Sequence, residues 1–120
     1  MAHKDTSPDH IARTAMDPLL PAIQQMLDAT NRGDGGALLG AFAEDAVVVN
    51  FGRTFEGRDR IADWDAQDNI GSRTKLVVTG ARTTGDTTTV SVHVSGDGYN
   101  GPGTLTFRTH DTLIDRLDIT

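Results

Sequence analysis

The chain contains no cysteine. That excludes disulfides and thiolate metal sites, and it is compatible with a reducing cytoplasm, where we place the protein. Aromatic residues are few: one Trp, one Tyr and four Phe. No apolar run approaches the ~20 residues that span a bilayer, so no membrane segment is expected. A secretory leader is also not expected. The first 16 residues are polar, with His3, Lys4, Asp5, Asp9 and Arg13 among them, and lack the charged-then-apolar pattern of a signal peptide. Basic blocks are missing too. Arginines are scattered along a chain of net charge -6, which repels phosphate backbones and argues against nucleic-acid binding. The four histidines, His3, His10, His93 and His110, show no ligand spacing, so no metal site is expected. Gly96 to Gly103 follows a strand but leads into another strand, unlike a phosphate-cradling loop. No nucleophile elbow can be defended.

What remains is a chain of 120 residues, enough for one domain and one core. We read residues 1–16 as a loose tail, helical near Ile11 to Met16, and 17–120 as the domain. Asp17-Pro18 reads as a helix start, an acidic cap followed by proline at the first helical position. Leu19, Leu20, Ile23, Met26, Leu27 and Thr30 then recur at helical spacing. Gly33 stops that helix in the left-handed conformation. Asp34 caps a second, shorter helix through Leu38, Leu39 and Phe42. Ala46 to Phe51 is a β-branched strand, with Thr54 to Glu56 as its hairpin partner. Gly57 opens a third helix with Ile61, Ala62, Trp64 and Ile70 as its apolar positions, ended by Gly71-Ser72.

From Arg73 the period changes from about 3.6 to 2. Strands are expected over Lys75 to Thr84, Thr87 to Ser95, Thr104 to Thr109 and Leu113 to Ile119. Gly85-Asp86 is a turn signal. Val90, Val92 and Val94 share one face, which turns His93 to the other. Helices first and an antiparallel meander last indicate an α+β fold. A strongly curved, mostly antiparallel sheet wraps around three helices of the N-terminal half and forms a cone, one face on the helices and the other facing solvent or a dimer partner.

Three motifs carry a family resemblance. Asn31-Arg32-Gly33-Asp34, with Leu39, Phe42 and Glu44-Asp45-Ala46-Val47, resembles the opening of nuclear transport factor 2-like domains. Phe55-Glu56-Gly57-Arg58-Asp59-Arg60-Ile61 resembles the signature before their third helix. Gly101-Pro102-Gly103 through Phe107 to Ile114-Asp115-Arg116-Leu117 is similar to the last two strands of the SnoaL-like, polyketide cyclase-like branch. The resemblance spans Pro18 to Thr120. It implies a cystatin-like cone, a frequent homodimer (here through the convex sheet face) and a small-molecule pocket. It does not imply one activity, because the superfamily is similar across isomerases, cyclases, dehydratases, epoxide hydrolases and binding modules.

Ketosteroid isomerases use an aspartate base with a tyrosine and a protonated aspartic acid as donors. By the resemblance those positions fall on Asn50, on Met26 and near Leu105 to Thr106. An amide, a thioether and an alkyl or hydroxyl group cannot perform those roles, so ketosteroid isomerisation is not expected. Asn50 either donates to and accepts from a ligand or ties off backbone at a turn. Asp97, with His93 and Tyr99 near it in sequence, is the acid nearest the region where the cyclases place theirs; its other reading is to shape the Gly96-Asp97-Gly98 turn. Tyr99 either offers a phenol at the mouth or packs on the rim.

Asp65 and Asp68 share a helical stripe with Ile61 and Trp64. A carboxylate desolvated beside the indole would have a raised pKa and suit acid–base work, whereas Asp63, Asp65 and Asp68 could equally form a solvated acidic face. Arg53 and Arg58 flank Phe55 and either clamp an anion or make surface pairs. The catalytic candidates are therefore Asp65, Asp68 and Asp97, and the ligand-binding candidates Asn50, Phe55, Trp64, Tyr99 and Met26. The expected function is binding of a small apolar, oxygenated molecule, with cofactor-independent lyase, isomerase or cyclase chemistry at a pocket carboxylate. The alternatives are a non-catalytic binding or dimerisation module and, third, epoxide opening by an aspartate–arginine pair.

Overall fold

A computed structural model describes residues 16–120. The expected tail over 1–16 and the helix near Ile11 lie outside those residues, apart from Met16, which bridges Ala81. The elements are α1 (Pro21–Arg32), α2 (Gly35–Gly40), β1 (Phe42–Asn50), β2 (Arg53–Glu56), α3 (Arg58–Asp68), a 3-10 turn (Ile70–Ser72), β3 (Lys75–Thr84), β4 (Thr87–Ser95), β5 (Gly101–His110) and β6 (Leu113–Ile119).

The six strands form one sheet in the order β2-β1-β6-β5-β4-β3. All neighbours are antiparallel except β1 and β6, which run parallel. Irregular register between Val78 and Gly80, and between Arg108 and Thr109, bends the long strands. The fold is thus α+β, with helices laid on the concave face of a curved sheet. Period-two alternation sets that face: Val90, Val92, Leu105, Phe107, Ile114 and Leu117 are buried, while Thr89, Ser91, His93 and Arg108 are exposed. From α1 the residues Ile23, Met26 and Leu27 meet this layer, and from α3 Ile61 and Trp64.

Several local expectations need correction. Helix α1 begins three residues later than the Asp17-Pro18 signal suggests. Leu20 is extended (φ -64, ψ 149) because it precedes Pro21, which restricts its backbone and occupies the first helical position. Asp17 accepts instead from the Thr83 N–H at 2.8 Å and fastens the chain to β3. The third helix stops at Asp68, so Ile70 lies in the 3-10 turn, which Arg73 closes with φ 52. Gly71 is required there, since a Cβ would collide with the Ala66 carbonyl. Strand β1 starts at Phe42 and β5 at Gly101, each several residues before its β-branched run. Gly33 (φ 74) and Asp34, whose carboxylate accepts from the Ala37 N–H at 3.0 Å, end α1 and start α2 as the sequence indicates.

Candidate functional site

The open end of the cone encloses a cavity of about 230 Å³. Its interior is apolar: Met26 from α1, Trp64 from α3, and Leu76, Val94, Leu105 and Ile119 from the sheet. These side chains reach one space because each is the inward member of its strand or helix stripe.

At the mouth, Asn50 and Arg53 are cross-strand partners that flank the Phe51-Gly52 turn, so both side chains lie on one face of the hairpin. Asn50 also pairs with Ile119 of β6, which brings it to the cavity edge. Asp68 follows Trp64 by one helical turn and therefore joins the lining. The Arg53 guanidinium donates to the Asp68 carboxylate. Arg53 also sits 5.5 Å from the centroid of the Phe55 ring, a cation–π contact. Phe55 itself packs half-buried on the core and lies outside the lining, so it supports Arg53 rather than a ligand.

Trp64 is buried, 2% exposed. Among the described residues its indole Nε1 has no hydrogen-bond partner. Beside it is a closed polar network. Asn69 Nδ2 donates to Asp65 Oδ1 at 3.0 Å and to Thr30 Oγ1 at 3.1 Å, and Thr30 Oγ1 donates to the Met26 carbonyl at 3.0 Å. Asp65 is buried and outside the lining, with Asn69 on the cavity side of the network. Burial raises the Asp65 pKa above the usual carboxylate value, and the bonds from Asn69 and the Ile70 N–H oppose that rise in part. The property and the position expected of a single aspartate are therefore divided. Asp65 has the perturbed carboxyl, and Asp68 faces the cavity.

Asp97 is not in the lining. It is exposed, accepts from Arg73 Nε at 2.9 Å, and its N–H donates to the Ser72 carbonyl, so it pins the β4–β5 loop. Tyr99 does reach the cavity, but its hydroxyl donates to the Pro102 carbonyl at 2.6 Å. His93 faces outward, opposite Val77 and Pro102. Arg58 donates through Nε and NH2 to the Phe42 carbonyl and ties α3 to β1, which removes it as an anion clamp. Of Leu105 and Thr106, near which the isomerase acid position falls, Leu105 lines the cavity with an alkyl chain. Sequence reasoning missed Asn69, which fell unremarked inside the expected third helix, Ser72, which read as a helix stop, and Phe51, which read as the end of a strand; all three line the cavity. Among the described residues no cluster of three or more His, Asp or Glu could hold a metal ion.

A SnoaL-like domain profile matches residues 23–117. The chain belongs to the SnoaL-like domain family. Comparison with curated proteins finds no match. Solved structures similar to this SnoaL-like chain include a candidate polyketide cyclase of Sinorhizobium meliloti, 29% identical, with 85% of this chain and 95% of that one aligned at TM-score 0.79. A protein of ketosteroid isomerase-like fold from Catenulispora acidiphila, solved in complex with trimethylamine, is 23% identical over 85% and 86% of the two chains, TM-score 0.74. A computationally designed 17-OHP binder shares the fold at 17% identity, 82% and 86% coverage and TM-score 0.73. The fold is thus shared by a protein solved with a small molecule and by one designed to bind one.

Proposed function

We propose that the cavity binds a small, mostly apolar, oxygen-bearing organic molecule, and that Asp68 exchanges a proton with it without a cofactor. The unpartnered Trp64 Nε1–H supports this reading most directly. An unsatisfied buried donor costs about 1–3 kcal/mol, and a ligand carbonyl, ether or hydroxyl oxygen would satisfy it. Apolar walls bury the rest of the molecule, and the Asn50 amide offers both a donor and an acceptor at the mouth. Asp68 is the carboxylate of the lining, and the Arg53 guanidinium donates a hydrogen bond to it. Ketosteroid isomerisation does not fit an amide, a thioether and an alkyl or hydroxyl group at the three positions that the resemblance assigns to that chemistry.

One observation favours binding without chemistry. The cavity, about 230 Å³, lies below the ~300 Å³ at the lower end of ligand sites, so any ligand is small. The Arg53–Asp68 contact in turn meets the geometric requirement for epoxide opening, so epoxides belong in the same screen as cyclic ketones and lactones.

The test is titration followed by the fluorescence of Trp64, the single tryptophan, with calorimetry for the variant that lacks it. W64F should bind about fivefold more weakly, the loss of one hydrogen bond of ~1 kcal/mol. D68N should retain binding and lose turnover. Undiminished turnover in D68N removes Asp68 as the proton carrier, a wild type that binds without turnover leaves the binding-module reading, and W64F with unchanged affinity removes the indole contact. The same proposal takes the outer sheet face, where Val77 is 62% exposed beside His93, as the pairing surface of a homodimer. Sedimentation should show a dimer that V77D converts to monomer, and a monomeric wild type would refute it.

A further inference from the structure

Phe51 occupies a position that the fold alone does not explain. It is the first central residue of a two-residue hairpin turn in which both residues have positive φ, 48 for Phe51 and 85 for Gly52. Such turns favour Asn-Gly, and a left-handed non-glycine residue costs about 1–2 kcal/mol. The ring gains no core burial in return, because Phe51 is 59% exposed. Its neighbour is Tyr99, 49% exposed, on the β4–β5 loop. The two ring centroids lie 6.0 Å apart at 58°, within the range of an attractive tilted pair, and both residues line the cavity.

The Tyr99 side of this contact is fixed. Its hydroxyl holds the Pro102 carbonyl, Asn100 braces the loop through the Gly96 and Gly98 carbonyls, and Asp97 ties it to Arg73 and Ser72. The Phe51 side is a two-residue turn whose backbone is tied to β6, the Phe51 N–H donating to the Ile119 carbonyl at 3.0 Å, while the exposed ring has Tyr99 as its aromatic neighbour. The rings are too close for a ligand ring to pass between them, so entry past the pair requires a ring to move. Inside, the charged side chains of the lining are Arg53 and Asp68, which already neutralise each other. An ion entering the cavity would be desolvated with no uncompensated partner, at a cost of several kcal/mol.

We propose that Phe51 and Tyr99 form an aromatic clasp over the cavity mouth that selects uncharged molecules, so that the ligand is a neutral ketone, ether, ester or alcohol and not a carboxylate, phosphate or amine. The inference rests on the reading of the cavity as a ligand site, and its test needs no ligand. The probes are acrylamide, iodide and caesium, each used to quench the fluorescence of Trp64. In the wild type acrylamide should quench weakly, and iodide and caesium at the baseline of a buried indole. F51G and Y99A should each raise the acrylamide quenching constant several-fold, whereas V77A, on the outer sheet face, should not, with circular dichroism confirming that all variants are folded. Equal acrylamide quenching in wild type, F51G and Y99A would overturn the clasp, as would a matching rise in V77A. Iodide quenching as efficient as acrylamide in the wild type would overturn the charge selection. If no neutral compound binds while the quenching pattern holds, the proposed function fails and the clasp stands. If a ketone binds while quenching is unchanged, the clasp alone fails.

Discussion

Asp65 and Asp68 stand three residues apart on one helix and meet opposite environments. Asp68 faces the cavity mouth with Arg53 across from it, while Asp65 is buried behind the wall and holds Asn69 and the start of the 3-10 turn. Its raised pKa has a definite consequence for stability. The unfolded chain ionises at the ordinary carboxylate value, before the folded chain does. The contribution of Asp65 is therefore fully present below that value and is lost as pH rises through the raised folded one. Both Asp65 hydrogen bonds fall on a single oxygen, Oδ1, which an asparagine carbonyl can replace. D65N should accordingly unfold at a higher temperature than wild type at neutral pH, with the gap closing as pH falls below the ordinary carboxylate range. Thermal melts across pH check this, and a gap that widens toward acid would contradict it.

Elements with a strict period were legible in the sequence, and those set by a single residue's backbone were not. Strands β3, β4 and β6 have the limits that the alternation predicts, because one buried face fixes both register and ends. The start of α1 was misplaced because Pro21, rather than Asp17-Pro18, determines where helical backbone begins. The Phe51-Gly52 turn was hidden for a similar reason: a phenylalanine in left-handed conformation has no sequence signal, so its place at the mouth stayed invisible. That turn supplies a further prediction. F51N would install the favoured Asn-Gly pair and should stabilise the protein by about 0.5–1 kcal/mol, read as a higher denaturation midpoint in urea with unchanged slope. A loss of stability on that substitution would show that Phe51 serves the fold rather than the cavity.

At the scale of the whole molecule, the candidate site was legible where helical or strand geometry alone decides direction. Asn50, Met26, Trp64, Asp68 and Tyr99 reach the cavity, each inward on its element or at the rim. Asp65, Asp97 and Phe55 were separable from them only by tertiary contacts: a polar network behind α3, an ion pair on a loop, and packing beneath Arg53. Among the described residues the cone therefore presents a small apolar space with one buried, unpartnered side-chain donor, Trp64 Nε1, and a self-neutralised charge pair at its edge. The most direct measurement on that arrangement is the indole N–H cross-peak of Trp64, the single tryptophan in the chain, in a proton–nitrogen correlation spectrum during titration with a neutral cyclic ketone. Saturable movement of that peak to lower field, as the donor gains an oxygen acceptor, is the result predicted. A ketone that binds, by the shifts of other amides, yet leaves the indole peak unmoved would contradict the account.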